Sequence, residues 1–123
     1  MGIAEQLEEF QTAADGCSLV AFGDRQTRLM LRVNSDTPWP QEKLDALCGQ
    51  GADCFELAAS EALAGHFGTA KDEPFCAIHM TARDVRLFFA AGEDDTDMIC
   101  CVCPSGGHIA DVTGMARTLI GTL

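Results

Sequence analysis

The sequence predicts an α/β-class (α+β) domain of order αββαβββα: a five-stranded antiparallel sheet with the central helix on one face and the terminal helices on the other. Three observations predict it. Apolar, β-branched and aromatic runs at 75–81, 85–91 and 98–103 follow one another with short polar breaks. Such breaks suit an antiparallel meander, because a parallel crossover needs about a dozen residues or more. The last run, Met98-Ile99-Cys100-Cys101-Val102-Cys103, has no polar face, so it belongs in the middle of a sheet covered on both sides. Apolar stripes at helical spacing lie before, between and after the strands, which supplies the cover.

Taken in order, residues 3–14 form a short helix, with Ile3, Leu7, Phe10 and Ala14 on one stripe. Asp15-Gly16 ends it, Gly being the usual residue past a helix C-terminus. A strand at 17–22, a turn at 23–26 and a second strand at 27–34 follow. In the second strand Leu29, Leu31 and Val33 are expected on one face and Arg28, Met30, Arg32 and Asn34 on the other, the pattern of an edge. The loop 35–40, with Pro38 and Pro40, leads into a helix running to about His66, striped by Leu44, Leu47, Cys48, Gly51, Phe55, Ala58 and Ala62. Gly49 and Gly51 mark either a break or a close approach of another backbone. After the meander, Ile109, Val112, Ala116, Leu119, Ile120 and Leu123 stripe a last helix over 105–123.

One domain spanning 1–123 is the natural reading of this length. A chain of this size buries enough surface to fold without disulfide or metal staples. The net charge of −11 argues against nucleic acid and anionic membrane as partners, since both need clustered Lys and Arg. Seven cysteines, an odd number, with no signal-peptide pattern at the start, argue against a disulfide framework. No apolar run approaches the ~20 residues of a membrane span. A cytoplasmic location is expected.

The candidate chemistry is thin. Cys100-Cys101-x-Cys103 with His108 invites a zinc reading, but neighbouring strand residues point to opposite faces and zinc needs converging ligands. Buried cysteines that behave as small hydrophobes are the expectation, with no metal and no cofactor. Gly49-Gln50-Gly51 lacks the third glycine and the preceding strand of a dinucleotide loop. Glu93, Asp94, Asp95 and Asp97 lack the spacing of a calcium loop. His66, His79 and His108 stand beside no readable nucleophile, so no catalytic residue is assigned and the chain is expected not to be an enzyme.

The element order resembles the roadblock/LC7 family, within the profilin-like folds. The resemblance covers essentially the whole chain. It is carried by Cys17-Ser18-Leu19-Val20-Ala21-Phe22-Gly23-Asp24, by the strand over 29–33 entering the long helix at Leu44-Asp45-Ala46-Leu47, and by the meander followed by Gly106-Gly107-His108 and a final helix. It implies a non-enzymatic module that dimerises through the central helix and the edge of the third strand, and serves as a platform for partners, often Ras-like small GTPases. A small-ligand sensor of PAS or GAF type has a similar strand order and is the alternative, with a pocket between helix and sheet beside Ala58, Ala59 and Ala62; a cysteine-based redox or metal protein is the third.

Two surfaces carry these expectations. The strand over 75–81 has the meander on one side only and is almost uncharged, so it is a poor edge to leave in water. Phe75, Ala77, Ile78 and His79 on that strand, with Cys54 and Leu57 beside the core stripe of the long helix, are the expected homodimer contacts. Glu42, Asp45, Asp53 and Glu56, with Glu61, make an acidic helix face, and the first four are the expected partner-binding residues.

Overall fold

The computed structural model describes residues 2–13, 17–58, 76–91, 97–104 and 109–121. Its elements are α1 (Ile3–Ala13), β1 (Leu19–Asp24), β2 (Leu29–Ser35), α2 (Gln41–Ala58), β3 (Cys76–Met80), β4 (Val85–Ala91), β5 (Asp97–Cys103) and α3 (Ile109–Gly121). The expected positions Phe75, Ala59, Ala62, His66 and His108 lie outside the described residues.

The strands form one antiparallel sheet in the order β2-β1-β5-β4-β3. The all-apolar β5 is central and lies beside β1, and every residue from Met98 to Cys103 is buried. Its alternation divides the core between the two faces of the sheet. Val20, Leu87, Phe89, Ile99, Cys101 and Cys103 pack under Leu7 and Phe10 of α1 and Val112, Ala116 and Leu119 of α3. Leu19, Ala21, Phe88, Met98, Cys100 and Val102 pack under Leu44, Leu47, Cys48 and Phe55 of α2. The central helix therefore covers one face and the terminal helices the other.

α2 is continuous through both of its early glycines. At Gly51 the helix rests on the sheet: a Cβ there would collide with the Phe88 ring and come within 2.7 Å of the Met98 sulfur. Gly49 is different, since the nearest atom to a Cβ is Arg28 Nη1 at 3.6 Å, an ordinary contact. This close seating fills the space between helix and sheet at Gly51 with Phe55, Phe88 and Met98.

Strict alternation fails in β2. Its register against β1 passes from Phe22↔Arg32 to Gly23↔Met30, which leaves Leu31 as the extra residue of a β-bulge. Leu29, Leu31 and Val33 accordingly do not share a buried face. Leu29 sits opposite Asp24, Val33 opposite Ala21 on the other face, and all three are exposed. Met30, placed with the polar set by simple alternation, instead turns under α2 and is buried.

The turn between β1 and β2 is built around Arg28, whose φ of 61° is left-handed. Its amide donates to the Asp24 carbonyl at 2.9 Å, and the Asp24 carboxylate accepts from the Gln26 amide at 2.8 Å. Arg25 from the same turn lies 4.8 Å above the Phe55 ring, a cation–π contact onto α2.

Candidate interaction surface

An open sheet has two edges, and this one treats them differently. β2 carries the bulge and the charged Arg32, both of which blunt an edge. Its Met30 amide donates to Asp45 Oδ1 of α2 at 3.1 Å, and Gln41 Nε2 donates to the same carboxylate at 2.9 Å. At the far end of β2 the Asn34 side-chain amide donates to Gln11 Oε1 of α1, and Gln11 Nε2 donates to the Ser18 carbonyl and to Asp36 Oδ1. Helices on both faces thus tie down this edge.

β3 has no such devices. The Thr81 amide donates to the Asp84 carbonyl at 2.9 Å across the β3–β4 turn, which makes Thr81 and Asp84 a hydrogen-bonded pair. Antiparallel pairs alternate, so His79↔Arg86 and Ala77↔Phe88 are bonded pairs in turn. The N–H and C=O groups of Cys76, Ile78 and Met80 then point away from β4, along the open edge. Ile78 is 50% exposed and Met80 70%.

The expected dimer contacts fall on both faces of this strand. Ala77 and His79 sit opposite Phe88 and Arg86 on the α2 face; Ile78 sits opposite Leu87 on the other face, with Cys76 and Met80. Met80, the most exposed large apolar side chain among the described residues, lies on the same edge but is not among the contacts expected from the sequence. The residues of α2 that turn toward β4 are marked by Gln50, whose Oε1 accepts from Arg86 Nη1 at 2.9 Å. Cys54 and Leu57 continue the same helical row, at i+4 and i+7. Cys54 is half-buried and Leu57 is 67% exposed.

The acidic set on α2 is largely engaged inside the chain. Asp53 pairs with Arg28 Nη2 at 2.6 Å and Glu56 lies 3.5 Å from the same nitrogen. These carboxylates hold the Arg28 guanidinium more firmly protonated, Asp53 first. Asp45 is taken up by Met30 and Gln41. Glu42 is exposed in the first turn. Spacing along one helix could not reveal these bonds, because Met30 and Arg28 come from a different element.

The cysteines are packed. Cys17, Cys101 and Cys103 gather under α1 and α3, while Cys48 and Cys100 lie on the α2 side. Hydrogen bonding with Cys101, then burial, pushes the Cys17 thiol up to about 12, against an opposing bond from Cys103. Its Sγ also donates to the Leu19 carbonyl at 3.1 Å. Cys103 is pushed up by Cys17 and by burial, and burial, with a smaller contribution from Cys48, raises Cys100 well above the ordinary value. These thiols are held protonated and are poor nucleophiles. Among the described residues no group of three or more His, Cys, Asp or Glu is arranged to hold a metal ion, and no helix is long and apolar enough to cross a membrane.

A sheet of order β2-β1-β5-β4-β3, with one helix on one face and two on the other, is the roadblock/LC7 fold. A roadblock/LC7 domain from Streptomyces avermitilis superposes with a TM-score of 0.79 at 10% identity, over 99% of this chain and 94% of that one. An MglB solved in a tetrameric arrangement gives 0.75 at 22% identity, over 100% and 89%. The gliding protein MglB of Thermus thermophilus gives 0.73 at 21% identity, over 97% and 87%. No family model matches the sequence, and no curated protein matches it closely.

Proposed function

We propose that this chain is a non-enzymatic interaction module that pairs with a second copy of itself through β3 and α2, and that the pair regulates or scaffolds a Ras-like small GTPase. The observation that carries the reading is the contrast between the two sheet edges. β2 is bulged, charged and bonded to helices, whereas β3 leaves outward N–H and C=O groups beside exposed Ile78 and Met80. Two β3 strands related by a two-fold axis satisfy each other's edges and join two five-stranded sheets into one. The Cys54–Leu57 flank of α2 then faces its counterpart across the axis. The MglB neighbour with a tetrameric arrangement is an assembled example of the same fold and supports self-association.

Joining the sheets sets two α2 helices on one face as a platform. Glu42, Asp53 and Glu56 give that platform an acidic outer margin suited to a basic partner face, while Asp45 has its carboxylate committed to β2. The GTPase assignment rests on the resemblance to roadblock/LC7 proteins. It is tested by titrating the protein into a Ras-like GTPase from the same genome, loaded with a fluorescent non-hydrolysable GTP analogue. Saturable binding of two chains per GTPase, lost in a β3 variant that cannot pair, is expected. Absence of binding to every such GTPase in the genome would remove the GTPase and leave the dimer standing.

A further inference from the structure

A cleft of about 640 Å³ lies beside the first half of α2, between that helix, the loop before it and the β3–β4 turn. Leu47 and Trp39 supply its apolar surface, with a proline on either side of Trp39. Lys43, Arg83 and Arg86 reach it from three different segments. The chain has only eight Lys and Arg against nineteen Asp and Glu, so three of the eight converge on one cleft of a strongly acidic molecule.

Lys43 and Arg83 are available to a ligand, and Arg86 is held beside them by its ion pair with Asp84. Arg86 is fixed by Asp84 Oδ1 at 3.2 Å and Gln50 Oε1 at 2.9 Å, and its Nη2 makes no bond among the described residues. Asp84 also lines the cleft, but its carboxylate is engaged by Arg86 and by the Thr81 hydroxyl at 2.8 Å. Lys43 and Arg83 are exposed and form no ion pair among the described residues. The turn that presents Arg83 is itself held, since Thr81 Oγ1 accepts from the Arg83 and Asp84 amides.

We infer that this cleft docks an extended acidic peptide segment of a partner protein, with its carboxylates on Lys43, Arg83 and Arg86 and an apolar side chain against Trp39 and Leu47. Charge complementarity selects the occupant. The overall negative charge repels acidic chains at long range, but about 8 Å of screening at physiological salt leaves the local cations to decide contact. Shape agrees: Lys43 to Gln50 spans about 10 Å of helix, the length of about three residues of extended peptide. The cleft shares Gln50 with the α2 row that carries Cys54 and Leu57, so it borders the proposed dimer contact, and the inference does not depend on the GTPase.

Trp39 is the single tryptophan, so its fluorescence reports the cleft directly. The probe is the pentapeptide acetyl-Glu-Asp-Leu-Glu-Asp-amide, with its Gln/Asn counterpart as control. A saturable change in Trp39 emission with a Kd of about 0.1 mM is expected from the acidic peptide only. Lys43→Glu combined with Arg83→Glu should weaken it at least about tenfold, and added salt should weaken the wild type. Both positions are exposed, and Arg83→Gln serves as a milder variant. Equal response to the neutral peptide, retention in the charge-reversed variant or failure to saturate would each overturn the inference. Tripolyphosphate that competes as well as the peptide would assign the cleft to a small oxyanion instead. Binding confined to a monomeric variant would assign it to a second copy of the chain; either result also overturns the peptide.

Discussion

The Asp45 carboxylate accepts a hydrogen bond from the Met30 amide at 3.1 Å, so a helix side chain occupies a donor that the bulged edge strand cannot give to β1. The bond ties α2 to β2 and seals that edge. Asp45→Ala should cost about 1.5–3 kcal/mol, the range for a hydrogen bond to a charged group. The measurement is urea unfolding, and an unchanged midpoint would show that water replaces the carboxylate without loss.

The two glycines of α2 should respond in opposite directions. Gly51→Ala forces a methyl into the Phe88 ring and the Met98 sulfur, and should destabilise by about 1–3 kcal/mol. Gly49→Ala meets only Arg28 Nη1 at 3.6 Å and should stabilise by about 0.5–1 kcal/mol through helix propensity. Paired denaturation curves decide it; two shifts of the same sign would place α2 differently on the sheet.

The raised thiols predict weakening in alkali. Cys17 keeps its proton to about 12 when folded, against an ordinary value of 9.0, and Cys48 keeps its own to about 11 because of burial. Between the ordinary and the folded values the unfolded chain has lost protons that the folded chain retains. Stability is therefore full below about pH 9 and falls as pH rises through that window. Cys17→Ala should flatten the decline seen in urea titrations from neutral to alkaline pH, and a decline of unchanged slope would contradict this.

The same burial predicts which cysteines react. Cys54 and Cys76 are half-buried, whereas the other five are buried. Brief iodoacetamide treatment of the native protein, read by mass spectrometry, should modify Cys54 and Cys76 alone, and urea should release the rest. In the proposed dimer Cys54 would face the partner helix, so it should react faster in a monomerised variant.

Much of the fold was legible in the sequence. The unbroken apolar run from Met98 to Cys103 announced a central strand, and every one of those residues is buried. Helical spacing picked out Leu44, Leu47, Cys48 and Phe55 as the inner face of α2. What escaped was set by contacts between distant segments. The bulge that turns Met30 inward depends on pairing with Phe22 and Gly23, not on the pattern of β2 itself. The engagement of Asp45, Asp53 and Glu56 depends on where Met30 and Arg28 come to lie. The cleft at Trp39 is assembled from three segments, of which Lys43 and Arg83 are forty residues apart. The expected strand order, with the meander on one side only, did mark 75–81 as an edge, and β3 is one.

The central claim is that β3 pairs with its twin, and light scattering across a dilution series tests it most directly. Ile78 turns its N–H outward, so Ile78→Pro removes a donor to the second copy while leaving the β3–β4 ladder intact; Ala77→Pro, by contrast, breaks that ladder and destabilises the chain itself. The account predicts a wild-type mass of two chains at micromolar concentration and a folded Ile78→Pro of one chain. A wild-type protein of one chain mass throughout the series, or an Ile78→Pro that remains a dimer, would contradict it.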